Sequence, residues 1–145
     1  MSVPARLSLV ALGVTDVARA TSFYEALGWQ RSSASNDDIS FFQLGGSGLA
    51  VFGRQALADD ATVSSTGEGF AGVSLAINLE SEAEVDRVAA EWLTCGGTLV
   101  KQPHRVFWGG YSGYVADLDG HLWELAFNPG FPLLADGSIQ LPTAH

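Results

Sequence analysis

The sequence writes one pattern twice, and that repetition limits the folds open to it. In the first half the apolar run Leu7–Val14 reads as a strand. Asp16 can cap the next helix, because its carboxylate accepts a free amide of the first turn. Val17, Ala20, Tyr24 and Leu27 then share one helical face, and Gly28 supplies a left-handed stop. Trp29 opens an extended piece. Ile39–Leu44 and Leu49–Arg54 read as strands, joined by the hairpin linker Gly45-Gly46-Ser47-Gly48.

The second half repeats the order. Val73–Leu79 is a strand, and Ser81-Glu82-Ala83-Glu84 is a capping box, serine and glutamate each satisfying a backbone donor. Val85, Val88, Ala89 and Trp92 form a buried face, Gly96-Gly97 ends the helix, and Thr98-Leu99-Val100 opens the next strand. Strands around Tyr111–Ala116 and His121–Phe127 follow, with Asp117-Leu118-Asp119-Gly120 as turn chemistry between them. Leu9 aligns with Ser74, Asp16 with Ser81, Gly28 with Gly96 and Phe52 with Glu124, at offsets that grow from 65 to 68 to 72. Half a chain of this size cannot easily bury its own sheet, so the copies should pack together.

The predicted fold is α+β: two tandem βαβββ modules forming a cup-shaped, partly open barrel. One domain spans 1–145, with a first module at 6–54, a polar linker at 55–70, a second module at 71–129 and a tail at 130–145.

Hydrophobic residues make up 47%, enough for a packed core. Seven basic against sixteen acidic residues give a net charge of −9, which argues against nucleic acid and anionic membrane as partners. The charge suits solubility first, and it is compatible with a cationic small molecule. Cys95 is the single cysteine, so no internal disulfide can form and a reducing, cytoplasmic location is expected. No apolar run approaches the roughly 18 residues of a membrane span. Arg6, Leu7–Val14 and Ala18-Arg19-Ala20 loosely mimic a signal peptide, but Thr15-Asp16 reads as a helix start, so the segment is read as mature structure.

Glu124 stands out among Leu122, Trp123, Leu125, Ala126 and Phe127. A carboxylate in such a run is costly to bury unless something pairs with it. It is a functional group or it has a hidden partner.

Two motifs carry a resemblance. Leu12-Gly13-Val14-Thr15-Asp16 is followed by Phe23-Tyr24-Glu25-Ala26-Leu27-Gly28-Trp29, and Val115-Ala116-Asp117-Leu118-Asp119-Gly120 runs into His121-Leu122-Trp123-Glu124-Leu125. Together, over roughly residues 6 to 129, they resemble the vicinal oxygen chelate superfamily of glyoxalases, extradiol dioxygenases, and fosfomycin and bleomycin resistance proteins. Leu118 stands where that turn usually has proline. The resemblance implies a homodimer, and in metal-dependent members an ion held from the first and last strands of each module. Those positions are Leu9, Phe52, Ser74 and Glu124 here. Leucine and phenylalanine offer no donor atom and serine is a poor ligand, so one carboxylate is left, and neither metal nor other cofactor is expected.

The histidines do not fill the gap. His121 lies three positions before Glu124, which puts them on opposite strand faces; His104 reads as a surface residue in a loop; His145 ends the chain. Cys95 sits at a helix C-terminus, which disfavours a thiolate. Phe107-Trp108-Gly109-Gly110-Tyr111 reads either as a mobile pocket wall or as core and interface aromatics. Trp29, Trp92 and Trp123 read as core.

Three functions remain open. The first is a metal-free binder of a small, possibly cationic aromatic molecule, similar to bleomycin resistance proteins, using Trp108, Tyr111, Tyr114, Glu124, Phe52, Leu9 and Ser74. The second is a lyase, isomerase or dioxygenase acting on a small oxygenated substrate, with Glu124 as catalytic base or metal contact. The third is assembly without a small ligand.

Overall fold

The computed structural model describes residues 3–143, so His145 lies outside the described residues. The chain divides into two compact units between Gly67 and Glu68. Each unit sets helices against one sheet, and the fold is α+β.

The first unit holds β1 (Leu9–Val14), α1 (Val17–Ala26), β2 (Ile39–Leu44), β3 (Ser47–Gly53) and α2 (Arg54–Ala61). Asp16 caps α1 as its residue type predicts, accepting from the Arg19 amide at 3.0 Å. The strands run β1-β3-β2, with β1 parallel and β2 antiparallel to β3. Gly45-Gly46 makes the β2–β3 turn. Gly45 has φ +60°, as the first central residue of a tight hairpin turn requires.

Alternation divides the sheet cleanly. Leu12, Val14, Leu49, Val51 and Phe42 are buried on the face that packs against α1, where Ala20, Phe23 and Tyr24 meet them. Tyr24 stacks on Trp29 with ring centroids 5.3 Å apart. The opposite face carries Leu9, Ala11, Gly13, Ala50, Phe52 and Phe41, which follow from the pairings Leu9–Gly48, Gly13–Phe52 and Phe41–Ala50.

Two expectations need correction here. The extended piece at Trp29 is not a strand; it contributes a single bridge between Arg31 and Phe42. The stretch read as linker begins with a helix, α2, which ends at Thr62 in the left-handed conformation (φ 59°). The run Arg54–Ala61 is rich in alanine, a strong helix former, and its polar composition masked that propensity.

The second unit holds β4 (Leu75–Asn78), α3 (Glu82–Thr94), β5 (Thr98–Arg105), β6 (Tyr111–Ala116) and β7 (Leu122–Phe127), in sheet order β4-β7-β6-β5. Ser81 caps α3, accepting from the Glu84 amide at 3.1 Å. The reciprocal half of the capping box does not form. Glu84 turns instead to Arg87, whose Nε and Nη2 reach its carboxylate at 2.9–3.1 Å. A charge-assisted, bidentate contact outcompetes a single amide.

Val85, Ala89 and Trp92 of α3 bury against Val115, Trp123 and Leu125. Trp92 is only 1% exposed, and its indole N–H donates to the Ala116 carbonyl at 2.8 Å. The β6–β7 turn is stitched by Asp117. It is buried, and its Oδ1 accepts from the Asp119 and His121 amides, both at 2.9 Å. Gly120, at φ +85°, completes it. The tail folds into a small hairpin, bridged between Leu133 and Ile139.

Candidate functional site

The sheet of the second unit has one face against α3 and one turned away from it. Trp123 and Leu125 belong to the α3 face, so Glu124 projects from the other. Register fills in its surroundings. Ala76 of β4 pairs with Glu124, and Glu124 pairs with Tyr114 of β6, so the three side chains stand in one cross-strand row. Glu124 and Tyr114 are both half-buried. The Glu124 carboxylate makes no hydrogen bond or ion pair among the described residues of its unit. No structural partner for it stands among the described residues of its unit.

Tyr111 does not share that face. Its phenol donates to Asp86 Oδ1 of α3 at 2.7 Å, which fixes it on the helix side. A cavity formed jointly by Glu124, Trp108 and Tyr111 is therefore not what the chain builds. Sequence reasoning placed Tyr111 by its nearness to Trp108, whereas strand parity decides: 111 and 114 are an odd number of steps apart. Trp108 lies in the β5–β6 hairpin, closed by Val106 N–H to Gly110 O at 3.0 Å. Its indole rests on Gly110, where any β-carbon would collide with the ring. Phe107 beside it is fully exposed and Trp108 is 41% exposed.

Ser74 precedes β4 and is exposed. In the first unit Leu9 and Phe52 both stand on the face away from α1, Leu9 exposed and Phe52 half-buried. The ladders also adjust the repeat. Ala76 lies five residues before the cap Ser81, and Ala11 lies five before the cap Asp16. Ala11 pairs with Ala50, so by register the counterpart of Glu124 is Ala50, with Phe52 one ladder step further along the same face. Sequence alignment placed Phe52 there because the loops differ in length.

The first unit has its own polar device, which sequence reading missed. Arg31 Nε donates to Ser40 Oγ at 3.0 Å, and Ser40 Oγ lies 2.8 Å from Thr21 Oγ1, which donates to the Val17 carbonyl at 2.6 Å. Ser40 Oγ accepts from both Arg31 Nε and Thr21 Oγ1, and the single Thr21 hydroxyl proton is shared between Ser40 Oγ and the Val17 carbonyl. Ser40 and Thr21 are buried, and this network is what makes that tolerable. Arg31 Nη2 also donates to the Asn36 carbonyl at 2.9 Å, pinning the loop that precedes β2. A cleft of about 400 Å³ opens beside it, flanked by Glu25 and Asp37.

Comparison with known proteins fits this geometry. The family model of the Glyoxalase/Bleomycin resistance protein/Dioxygenase superfamily matches residues 6–125. The chain belongs to that superfamily. A solved structure of a glyoxalase-related enzyme from Fulvimarina pelagi is 35% identical, with TM-score 0.86, covering 97% of this chain and 100% of that one. A family enzyme from Burkholderia phytofirmans PsJN (18% identity, TM-score 0.76, 85% of this chain and 98% of that one) shares the fold. So does lactoylglutathione lyase from Agrobacterium tumefaciens, at 24% identity and TM-score 0.65 over 86% of this chain and 94% of that one. No curated protein matches the sequence.

Superfamily members that use a metal need several nitrogen or oxygen donors, and this chain's donor set does not fit. Leu9, Phe52 and the register counterpart Ala50 have no donor atom, Ser74 stands outside its strand, and Glu124 is left as one carboxylate. Among the described residues no group of three or more histidine, cysteine, aspartate or glutamate side chains could hold an ion. What the Glu124 face can do unaided is accept a proton, pair with a cation, and offer the Tyr114 ring beside it.

Proposed function

We propose that this superfamily member binds a small, flat, aromatic cation on the Glu124 face, without a metal ion, and works as a homodimer. The observation that carries the reading is the half-buried Glu124 carboxylate, unpaired within its unit and standing opposite Tyr114. A carboxylate beside an aromatic face suits a delocalised cation, which gains charge pairing from one and cation–π attraction from the other. The net charge of −9 draws such a ligand in and disfavours nucleic acid or an anionic membrane as partner. No helix among the described residues is long and apolar enough to cross a membrane. The single free thiol, Cys95, suits a reducing compartment such as the cytoplasm. Pairing of two copies is supported by the edge strand β5, which presents exposed Leu99 and Val100, with Phe107 and Trp108 exposed in the hairpin that follows it.

Titrating a panel of aromatic cations against tryptophan fluorescence tests the reading. Saturable quenching is expected, and Glu124→Gln should weaken it by roughly 1–2 kcal/mol, about 5- to 30-fold. Absence of saturable quenching across the panel, or an unchanged affinity in the variant, would overturn it.

A second reading makes Glu124 a general base toward a small oxygenated substrate. It is favoured by the 35% identity to a glyoxalase-related enzyme. Exchange of an acidic substrate C–H for deuterium, lost in Glu124→Gln, would support it over binding alone.

A further inference from the structure

The chain contains a single lysine, Lys101, and the ladder sets it in the same row as Glu124. Lys101 pairs with Tyr114, and Tyr114 pairs with Glu124. The neighbouring row runs Asn78, Ala126, Ser112, His104. Strict alternation along β5 would separate Lys101 from His104. Irregular register between them absorbs one residue and returns both to one side. Two contacts fix which side it is. Arg105, next to His104, turns to α3, where its Nε meets Glu82 at 3.3 Å. Pro103 is buried, and a β-carbon on Gly113, which faces α3, would meet the Lys101 carbonyl and the Pro103 backbone. His104, between Pro103 and Arg105, therefore projects with Glu124, and Lys101 is set on that side by its pairing with Tyr114. Both are exposed, and the Lys101 ammonium has no hydrogen bond or ion pair among the described residues.

One face thus carries an unpaired carboxylate and, two strands away, an unpaired ammonium with an imidazole alongside. Adjacent strands are about 4.8 Å apart, so the two charges are based about 10 Å from each other. Tyr114 lies between them. We propose that Lys101, assisted by His104, is a second recognition point on this face, and that the ligand is bipolar. Its cationic end meets Glu124, its ring covers Tyr114, and an anionic group such as a carboxylate about 10 Å away meets Lys101. This rests on the reading of Glu124 as a cation partner, but its anionic half stands on Lys101 alone.

Three probes separate the two halves: an acridinium cation, the same ring carrying a carboxylate about 10 Å from its nitrogen, and a plain aromatic carboxylate. The zwitterion should bind about tenfold more tightly than the parent cation, the worth of one charge-assisted hydrogen bond. Lys101→Met should abolish that advantage and leave the parent cation unweakened; His104→Gln should cost about threefold. Because Lys101 is the chain's one lysine, its acetylation by an activated ester can be read by mass spectrometry, with the terminal amine as internal reference. The zwitterion and the plain carboxylate should slow labelling of Lys101 selectively, and the parent cation should not. If the zwitterion gains nothing over the cation, or Lys101 is labelled equally fast with every probe, the inference is wrong. If instead Glu124→Gln leaves the parent cation's affinity intact while the carboxylates still protect Lys101, the reading of Glu124 fails and the anion site stands.

Discussion

Tyr111 of β6 donates its phenolic proton to Asp86 of α3 at 2.7 Å, tying sheet to helix across the second unit. The contact holds the phenol's ionisation above its ordinary value of 10.0, chiefly through the hydrogen bond to Asp86, then through burial and the charges of Asp86 and Glu82. The proton is held more tightly folded than unfolded. The tie therefore contributes in full below pH 10 and is lost as pH rises through the raised value. Urea midpoints of wild type and Tyr111→Phe should differ at pH 8 and draw together as pH rises above 10 through the raised value. A gap that stays constant would show that the phenol contributes nothing through this bond. Because Tyr111 faces α3, the same variant should bind ligand as wild type does.

Ser40 Oγ joins Arg31 and Thr21, accepting a hydrogen bond from each. Ser40→Ala removes the acceptor that Arg31 Nε and the buried Thr21 hydroxyl share, leaving Thr21 its Val17 contact and Arg31 its Asn36 contact, at a cost of about 1–3 kcal/mol. Thr21→Val removes the other donor to Ser40, and the double variant should cost less than the sum of the two single variants, since the two share one network. Chemical denaturation of the four proteins measures both, and strict additivity would show that the network is not a unit.

Gly97 packs beneath the Trp92 indole, and a β-carbon there would also come within 2.7 Å of the Ala116 carbonyl. Gly97→Ala should destabilise by about 1–3 kcal/mol, because neither a buried indole nor strand backbone gives way cheaply. A thermal midpoint within a degree of wild type would contradict the packing.

Purified without chelators, the protein should carry no stoichiometric zinc, nickel, manganese or iron. Elemental analysis reading about one tightly held ion per chain would overturn the metal-free reading.

Light scattering at micromolar concentration should give twice the 15.2 kDa chain mass. A monomer would remove the between-subunit pairing and leave the Glu124 face to act within one chain.

Much of the fold could be read locally. Asp16 and Ser81 announce their helices because a cap bonds an amide three residues on, and Gly45 and Gly120 announce turns because those turns need positive φ. Glu124 was conspicuous for a similar reason, as a charge in an apolar strand. Where sequence reasoning slipped, the deciding partner was elsewhere. Glu84 preferred Arg87 to its cap, and the alanine-rich run after Arg54 was helical despite its polar look.

By itself the sequence determined the doubled order of strands and helices, the turns, and the absence of donor atoms at Leu9 and Phe52. These depend on residue type and on neighbours a few positions away. The tertiary structure alone decided which residues stand beside Glu124. It put Tyr111 behind the sheet and Tyr114 in front, replaced Phe52 by Ala50 as the register counterpart, and brought Lys101 and His104 round through the irregularities of β5. The physical reason is that a strand's period is two. A one-residue irregularity moves every following side chain to the other face, and whether it occurs is settled by packing against the neighbouring strand and helix.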